Sequence, residues 1–374
     1  GPLKPMAPHM DTAFTRALGL EVPIIQGPFG GGFSTPQLAA AVSNGGGLGS
    51  FGAQPVAPED MAGTVARIRA LTARPFAVNL WVSTEDAGTL GRAAYDAAVS
   101  ATRPWFEALG VEAPPFPPPR RPAFREQAQA LLEAEPPVLS FIFGLPPPDL
   151  MAACRRRGIP VLGTATTVAE AKALEEAGVD VVVASGFEAG GHRGSFLEPA
   201  ERSLMGTFAL VPQVVDSLRI PVVAAGGVSD ARGVSAALAL GAAGVQVGSA
   251  FLACEESGAS ALHRERLRQG PPTALTRHFS GRLARGARNR FTDRTEGLPA
   301  LPYPFQGWLL GPLFRAAAER GDPELQPLWG GQATALLRHT RAAELLAELA
   351  SGVSSRPPAS TARTPASTRT SELP

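Results

Sequence analysis

Short apolar runs recur along the chain between segments that carry helix signals. They are continuous rather than alternating, which is typical of strands buried on both faces of a parallel sheet. Eight such runs occur, at residues 23–27, 46–51, 75–82, 137–144, 159–164, 180–185, 220–225 and 243–248. The pattern therefore predicts an α/β protein with eight buried strands.

Helix start and stop signals separate these runs. The segments 35–45, 167–178 and 229–241 each begin with Ser or Thr and end at Gly, as expected for an N-cap and a helix end. Thr167 and Glu170 also have the spacing of a capping box. We therefore expect a helix at each of the three segments.

The spacing of the strands selects between two architectures. Successive runs start 23, 29, 62, 22, 21, 40 and 23 residues apart, and most intervals suit one strand, loop and helix. Eight such units close a (β/α)8 TIM barrel. A Rossmann sheet is the alternative, but its glycine fingerprint should follow a strand, and the glycine-rich segment 45–49 precedes one. The barrel is therefore favoured.

The long intervals and the two ends of the chain predict further segments. Residues 83–136 form an insertion over the barrel mouth, with helical stretches at 93–109 and 123–134 around a proline-rich stretch. We expect an expression scar at 1–9 ahead of Met10, a barrel at 10–254, a smaller α-rich cap and substrate region at 255–331, a C-terminal helix packed on the barrel at 332–351, and a disordered tail at 352–374.

Composition and charge exclude several classes of function. A hydrophobic fraction of 44% is enough for a large core, and 34 Lys and Arg against 33 Asp and Glu leave a net charge of +1. No global field then attracts nucleic acid or an acidic membrane surface. The uncharged run 234–254 is rich in Ala and Gly, so a helix and a buried strand explain it better than a membrane span. Cys154 and Cys254 have no disulfide or zinc spacing, which predicts a cytoplasmic protein without a metal.

Candidate chemistry lies just after the strands, because barrel active sites form at the carboxyl ends of the strands. Small residues follow both the seventh and the eighth strand: Gly226 and Gly227, then Gly248 and Ser249. Their bare amides suit a phosphate, although either loop alone is better explained as a tight turn. Both loops together predict a cofactor that carries a phosphate. The absence of a P-loop motif argues against a nucleoside triphosphate.

His192 is the most informative single residue. A lone histidine is more often structural than catalytic, but this one follows the sixth strand in a loop flanked by glycines. Such a loop lets an imidazole project into a site instead of packing in the core.

Six ordered motifs then resemble one family. They are 23–28 (PIIQGP), 44–49 (NGGGLG), 75–79 (PFAVN), 188–194 (EAGGHRG), 221–227 (PVVAAGG) and 244–249 (GVQVGS). Together with Gly281-Arg282 and Arg288-Asn289, they look like the nitronate monooxygenases, formerly called 2-nitropropane dioxygenases, which are FMN-dependent barrel enzymes.

The resemblance implies roles for particular residues. His192 would be the catalytic histidine, acting as a base or as a hydrogen-bond partner of the nitro group. The small-molecule substrate would be a nitronate, a nitroalkane or a related stabilised carbanion, and O2 would convert it to a carbonyl compound and nitrite. The residues expected to bind FMN are Gln26, Gly27, Pro28, Phe29, Asn79, Thr164, Ala189, Gly190, Gly191, Ala225, Gly226, Gly227, Gln246, Gly248 and Ser249.

The chain also departs from the family. Thr164 stands where members often carry a polar or basic residue, and only Tyr95 and Tyr303 are available to line a pocket. FMN-dependent enoyl-acyl-carrier-protein reductases, which use NAD(P)H, resemble the chain over the same motifs. A basic cluster could contact an acyl carrier, although a solvated surface explains it more simply. It consists of Arg277, Arg282, Arg285, Arg288, Arg290 and Arg294. A third alternative is a flavin-binding partner subunit of a biosynthetic assembly.

Overall fold

A computed structural model describes residues 10–354, and the expected scar at 1–9 and residues 355–374 lie outside the described residues. All eight apolar runs form strands. The strands are β1 (Ile24–Gln26), β2 (Gly49–Gly52), β3 (Phe76–Trp81), β4 (Val138–Ile142), β5 (Val161–Ala165), β6 (Val181–Ser185), β7 (Gly191–His192), β8 (Val222–Ala225), β9 (Gly244–Val247), β10 (Thr273–Thr276) and β11 (Ala284–Ala287).

Eight parallel strands within residues 10–354 form the main sheet, in the order β1-β9-β8-β6-β5-β4-β3-β2. A parallel bridge between Ile25 and Leu48 joins its two ends. There the Leu48 amide donates to the Ile24 carbonyl at 2.9 Å, and the Gln26 amide donates to the Leu48 carbonyl at 3.0 Å. The predicted (β/α)8 TIM barrel is confirmed.

Helices connect and cover the strands. They are α1 (Ala13–Leu18), α2 (Pro36–Asn44), α3 (Met61–Arg69), α4 (Arg92–Leu109), α5 (Phe124–Glu133), α6 (Pro148–Arg156), α7 (Val168–Ala177), α8 (Thr207–Ser217), α9 (Ala231–Ala239), α10 (Ser249–Leu252), α11 (Ala261–Arg268), α12 (Arg290–Thr295), α13 (Phe305–Glu319) and α14 (Ala342–Ser354). Among the described residues, no helix combines the length and the hydropathy of a membrane span.

Two local details of the helix starts differ from expectation. Thr167 does cap α7 by accepting from the Glu170 amide at 3.1 Å, but the Glu170 carboxylate does not complete the capping box. It accepts instead from the amide and hydroxyl of Thr166. Asp230 and not Ser229 is the N-cap of α9, because its carboxylate accepts from the first-turn amides.

The C-terminal part of the chain differs more. The final helix begins at Ala342 instead of 332, because the chain first makes turns and a 3-10 helix at Thr334–Leu336. Residues 352–354 belong to α14 and not to a disordered tail. The region 255–331 is also less helical than expected, since β10 and β11 pair there as an antiparallel hairpin and β11 pairs with β7.

The core explains why a site forms at one end of the barrel. Helix α1 covers the amino-terminal end of the strands, where Phe14 is fully buried with Ile25, Val181 and Val223. Burial of this aromatic ring and its aliphatic neighbours stabilises that end by the hydrophobic effect. The carboxyl end is left for the insertion and the cap to cover.

Candidate active site

A cavity of about 1200 Å³ lies at the carboxyl ends of the barrel strands. The insertion and the region 255–331 both contribute to its walls. It is lined by fourteen of the fifteen residues expected to bind FMN, all except Gln26, and also by His192. The barrel topology therefore brings nearly all of the predicted FMN-binding residues to one cavity. Their roles in binding a cofactor stay predictions.

Gln26 does not line the cavity. Its side chain is fully buried, where Oε1 accepts from the Ser50 amide at 3.0 Å and Nε2 donates to the Gly27 carbonyl. The amide side chain therefore links the tips of β1 and β2. We correct its assignment from ligand binding to support of the Gly27 turn.

Glycines after β8 and β9 leave backbone open to the cavity. Gly226 and Gly227 have φ of +104° and +78°, a region that L side chains rarely adopt. Within residues 10–354, no turn, loop or cap hydrogen bond uses the amides of Gly227, Gly248 or Ser249. Such amides at a strand end suit the phosphate of a cofactor, so the residues fit that group.

The chain segment at Gly330 and Gly331 closes this side of the cavity. A Cβ on Gly190 would lie 2.5 Å from the Gly330 carbonyl carbon, so only glycine permits this backbone approach. The Gly331 amide donates to Ser249 Oγ at 2.8 Å. Glycine at these positions therefore lets the region 255–331 pack directly on the barrel loops.

Glu188 also lines the cavity, but its carboxylate is occupied. It accepts from the Thr207 amide at 2.9 Å and from the Thr207 hydroxyl at 2.8 Å. The carboxylate thus satisfies first-turn donors of α8, where the helix dipole stabilises negative charge. We infer a structural role for Glu188 rather than that of a base.

His192 is held by strand pairing and not by a flexible glycine loop. It lies in β7, opposite Ala284 of β11. Its Nε2 is 2.6 Å from Ser280 Oγ, which comes from the turn before β11. Backbone pairing and this contact together fix the position of the imidazole.

Aromatic rings surround His192 on several sides. The ring centroids of Trp81, Trp329, Phe143 and Tyr303 lie 4.8, 5.2, 6.0 and 6.3 Å from the imidazole centroid. The rings come from β3, the loop after β4, and two parts of the C-terminal region. They exclude water from the imidazole on these sides.

Arg282 shares this aromatic enclosure. Its guanidinium lies 4.2 Å from the Phe143 ring centroid and 4.3 Å from that of Tyr303. Asp86 in the insertion pairs with it at 2.9 Å, and the arginine side chain is only 5% exposed. The pair therefore attaches the start of the insertion to the turn that carries Ser280.

These surroundings set the charge of His192. Loss of water lowers the pKa of the imidazole to about 3, and the positive charge of Arg282 acts in the same direction. At neutral pH the ring is uncharged, with one nitrogen as donor and the other as acceptor. The site therefore presents a neutral hydrogen-bonding group in an aromatic pocket.

The chain after His192 is anchored by buried charges. Arg193 donates to the Ser203 carbonyl at 2.6 Å, and burial lowers the pKa of its guanidinium to about 10, so it remains charged. The Glu170 carboxylate accepts from the Phe196 amide at 2.6 Å. These bonds hold the segment that leads away from the catalytic candidate.

The remaining candidates are placed as follows. Asn79 lines the cavity and donates to Ser140 Oγ at 2.7 Å. Tyr303 lines it too, whereas Tyr95 packs behind the wall and donates to the Pro114 carbonyl.

The arginine cluster is not one solvated basic surface. Arg282 and Arg285 are buried, and Arg277 and Arg288 pair with nearby carboxylates. Arg288, Arg290 and Arg294 are exposed and line one surface pocket, which Asp293 and Glu324 also line.

The sequence analysis did not predict several residues that line the site. Ser280, Trp329 and Gly330 lie far from the strand ends along the chain, in a region without barrel rhythm. Near Ser280, the sequence offers the adjacent Gly281-Arg282 element, which belongs to the family motifs. Near Trp329, it offers only the Gly330-Gly331 pair.

Known proteins are similar to this chain over most of its length. The family described as nitronate monooxygenase matches residues 11–352. A probable nitronate monooxygenase of Staphylococcus aureus strain MSSA476 is 40% identical over 327 residues, which span 86% of this chain and 91% of that protein.

Two solved structures are similar over most of the chain. The nitroalkane oxidase from Streptomyces ansochromogenes superposes with a TM-score of 0.84 at 37% identity, covering 92% of this chain and 99% of the other. FabK from Thermotoga maritima has a TM-score of 0.71 at 28% identity, covering 92% and 96%. With a family match over nearly the whole chain, the protein belongs to the nitronate monooxygenase family and is a flavin-dependent oxidoreductase.

Proposed function

We propose that the chain is an FMN-dependent monooxygenase that oxidises a nitronate, a nitroalkane or a related stabilised carbanion with O2. The products are a carbonyl compound and nitrite. The observation that carries the proposal is that His192 lines the same cavity as Gly227 and Gly248, whose amides are open. Family membership supports the same reaction class.

Among the flavins, we propose FMN. A single terminal phosphate would be held at Gly226, Gly227, Gly248 and Ser249, the usual phosphate position of a barrel. When bound, FMN would supply electron transfer between the carbanion carbon and O2. Two nitronates and one O2 would give two carbonyl compounds and two nitrite ions. Each C–N bond breaks as its carbon gains one oxygen atom, and nitrite leaves with the bonding electrons.

The neutral state of His192 favours a particular substrate form. Removing a proton from a nitroalkane would create an imidazolium near Arg282 in a site with little water, which is costly. A nitronate is already deprotonated and needs only hydrogen bonds to its nitro oxygens. We therefore propose that preformed nitronates are the preferred substrates and that His192 orients them.

The absorption spectrum of the purified protein, followed by anaerobic mixing with ethylnitronate, tests cofactor and reaction together. We expect a yellow protein that releases FMN on denaturation and is bleached by the nitronate. In air, nitrite and acetaldehyde should form in equal amounts. A colourless protein that does not take up FMN would refute the proposal.

The same purified protein distinguishes the proposed function from two alternative functions. If NADH or NADPH bleaches the flavin rapidly and nitronates do not, the chain is an enoyl reductase and the similarity to FabK becomes the better guide. If the yellow protein acts on neither, it is a binding partner in a larger assembly. A cytoplasmic location, expected from the two unpaired cysteines, stays a prediction.

A further inference from the structure

Arg282 is a buried cation close to His192, although it does not line the cavity. Every nitrogen of its guanidinium donates a hydrogen bond, and the acceptors are Ser83 and Asp86 at the start of the insertion. Nε and Nη2 donate to the Asp86 carboxylate at 3.0 and 2.9 Å, and Nη1 donates to the Ser83 carbonyl at 2.9 Å. Two parallel bonds to one carboxylate fix the plane of the guanidinium as well as its position.

The guanidinium and the imidazole of His192 contact the same aromatic rings. The Phe143 and Tyr303 centroids lie 4.2 and 4.3 Å from the guanidinium, and 6.0 and 6.3 Å from the imidazole centroid. The Trp81 centroid lies 5.7 Å from the guanidinium and 4.8 Å from the imidazole. A planar cation attracts the faces of such rings and holds them in place. Three of the four rings around His192 therefore depend on Arg282.

A second connection runs through the backbone. The Arg282 amide donates to Ser280 Oγ at 3.2 Å, and this oxygen lies 2.6 Å from His192 Nε2. On the other side of Arg282, the Leu283 carbonyl accepts from the Arg193 amide at 2.9 Å. Arg282 thus lies between two points at which its turn contacts the chain around the histidine. A displaced guanidinium would move the turn that carries the partner of the imidazole.

Attachment of the insertion does not by itself require this ion pair. The Asp86 amide donates to the Tyr303 carbonyl at 3.0 Å, which holds the same segment through the backbone. A buried ion pair adds little net stability, because the loss of water offsets much of the attraction between the charges. What the pair adds is direction, since the carboxylate aligns a flat cation with the aromatic rings.

We propose that Arg282 and Asp86 are positioning residues for His192. Asp86 orients the guanidinium, which holds the aromatic rings and the Ser280 turn, and these fix the imidazole. The inference rests on the proposed function, in which His192 orients the nitronate. Neither residue of the pair lines the cavity, so both act through the groups between them and the imidazole.

Steady-state kinetics with ethylnitronate test the role of Arg282. Arg282→Gln should lower kcat about tenfold to a hundredfold, because the imidazole loses its alignment with the reacting carbon. KM should stay within about twofold, since the residues that line the cavity are unchanged. Arg282→Lys keeps the charge but not the planar fork, and kcat should stay low. Full activity of the lysine variant would overturn the inference, because a charge alone would then suffice.

A double-mutant cycle tests whether Asp86 acts through Arg282. Asp86→Asn should give a smaller loss of kcat of the same kind. The double variant with Arg282→Gln should be no less active than Arg282→Gln alone, because residues that act as one unit are not additive. Losses that multiply in the double variant would mean that the two residues act separately and would overturn the inference.

Nitrogen-15 NMR of histidine-labelled protein, as purified, measures the state of the imidazole without turnover. The signals of His192 are those that disappear in His192→Gln. A fixed hydrogen bond selects one tautomer, so the two ring nitrogens of the wild type should have well separated shifts. Arg282→Gln and Asp86→Asn should bring these shifts closer together. This result supports the positioning role even if no nitronate is oxidised, and wild-type shifts in both variants would refute it.

Arg288→Gln is the matched control. Arg288 follows β11, pairs with Asp293 at 2.8 Å and does not line the cavity. It should leave kcat and the His192 shifts at their wild-type values. If Arg282→Gln does not fold, Asp86→Asn carries the test, because it changes a partly exposed side chain with little change of shape. Wild-type kcat and shifts in Asp86→Asn would overturn the inference, while nitronate turnover by the wild type would still support the proposed function.

Discussion

Ser280 Oγ lies 2.6 Å from His192 Nε2, across a separation of 88 residues. The serine belongs to the turn before β11, and the histidine to the short strand β7 that pairs with β11. One hydrogen bond therefore joins the barrel loop to the C-terminal hairpin and restricts the imidazole orientation. If Nε2 donates to the serine hydroxyl, Nδ1 is an acceptor. If Nε2 accepts, Nδ1 is a donor.

Ser280→Ala should lower kcat/KM for a nitronate about tenfold, the effect of losing one hydrogen bond of about 1–1.5 kcal/mol. The Arg282 amide, which also donates to Ser280 Oγ, would lose its partner. Flavin content should not change. Ser280→Thr keeps the hydroxyl and should restore most activity. Steady-state kinetics check this prediction, and full activity of the alanine variant would show that the contact does not position His192.

His192→Ala should keep bound flavin and lose turnover by about 10²–10⁴-fold, the range for removal of a positioned proton-transfer or hydrogen-bonding group. His339→Ala is the matched control, since His339 pairs with Glu348 and does not line the cavity. Flavin absorbance and nitrite release report the two properties separately. If His192→Ala oxidised nitronates at the wild-type rate, the histidine would be structural.

The lowered pKa of His192 makes the flavin-free protein less stable in acid. In the unfolded chain the imidazole takes a proton near pH 6.5, but in the folded state it does so only near pH 3, so stability falls as pH decreases between these values. From pH 8 to pH 5 this group should remove about 2 kcal/mol of the free energy of unfolding.

Urea unfolding of wild type and His192→Gln at both pH values measures this effect. His263 and His278 also have lowered pKa values through burial, and their contribution is common to the two proteins. The glutamine variant should lose less stability in acid by about the 2 kcal/mol assigned to His192. Parallel losses in the two proteins would mean that His192 titrates normally in the folded state.

Gly227→Ala should weaken flavin binding about tenfold, because an L residue at a φ of +78° costs about 1–2 kcal/mol. The substituted loop should relax in the flavin-free protein, so flavin binding would have to restore the strained conformation. The new methyl group would also contact Glu188 beside the open amides. Gly63→Ala is the control: Gly63 lies in α3, its added Cβ would have no neighbour within 4 Å, and alanine favours the helix. Titration of the flavin-free proteins with FMN gives both dissociation constants, and equal values would exclude Gly227 from the phosphate site.

The sequence by itself determined the barrel and the part of the site that lies at the ends of β8 and β9. Eight continuous apolar runs at regular spacing are local patterns, and each run forms a strand in the barrel. The residues after β8 and β9 follow from the same pattern, because parallel strands bring their carboxyl ends to one side. Gln26 was the exception, since the direction of its side chain depends on its bond to Ser50 in a neighbouring strand.

Only the tertiary structure decided what surrounds the histidine. Ser280 and Trp329 contact the histidine, and the nearby Arg282 pairs with Asp86, which lies 196 residues away along the chain. No local periodicity marks those contacts. Strand and helix patterns arise from interactions between near neighbours along the chain. The neutral imidazole and its aromatic enclosure arise instead from packing between distant segments, which spacing along the chain does not encode.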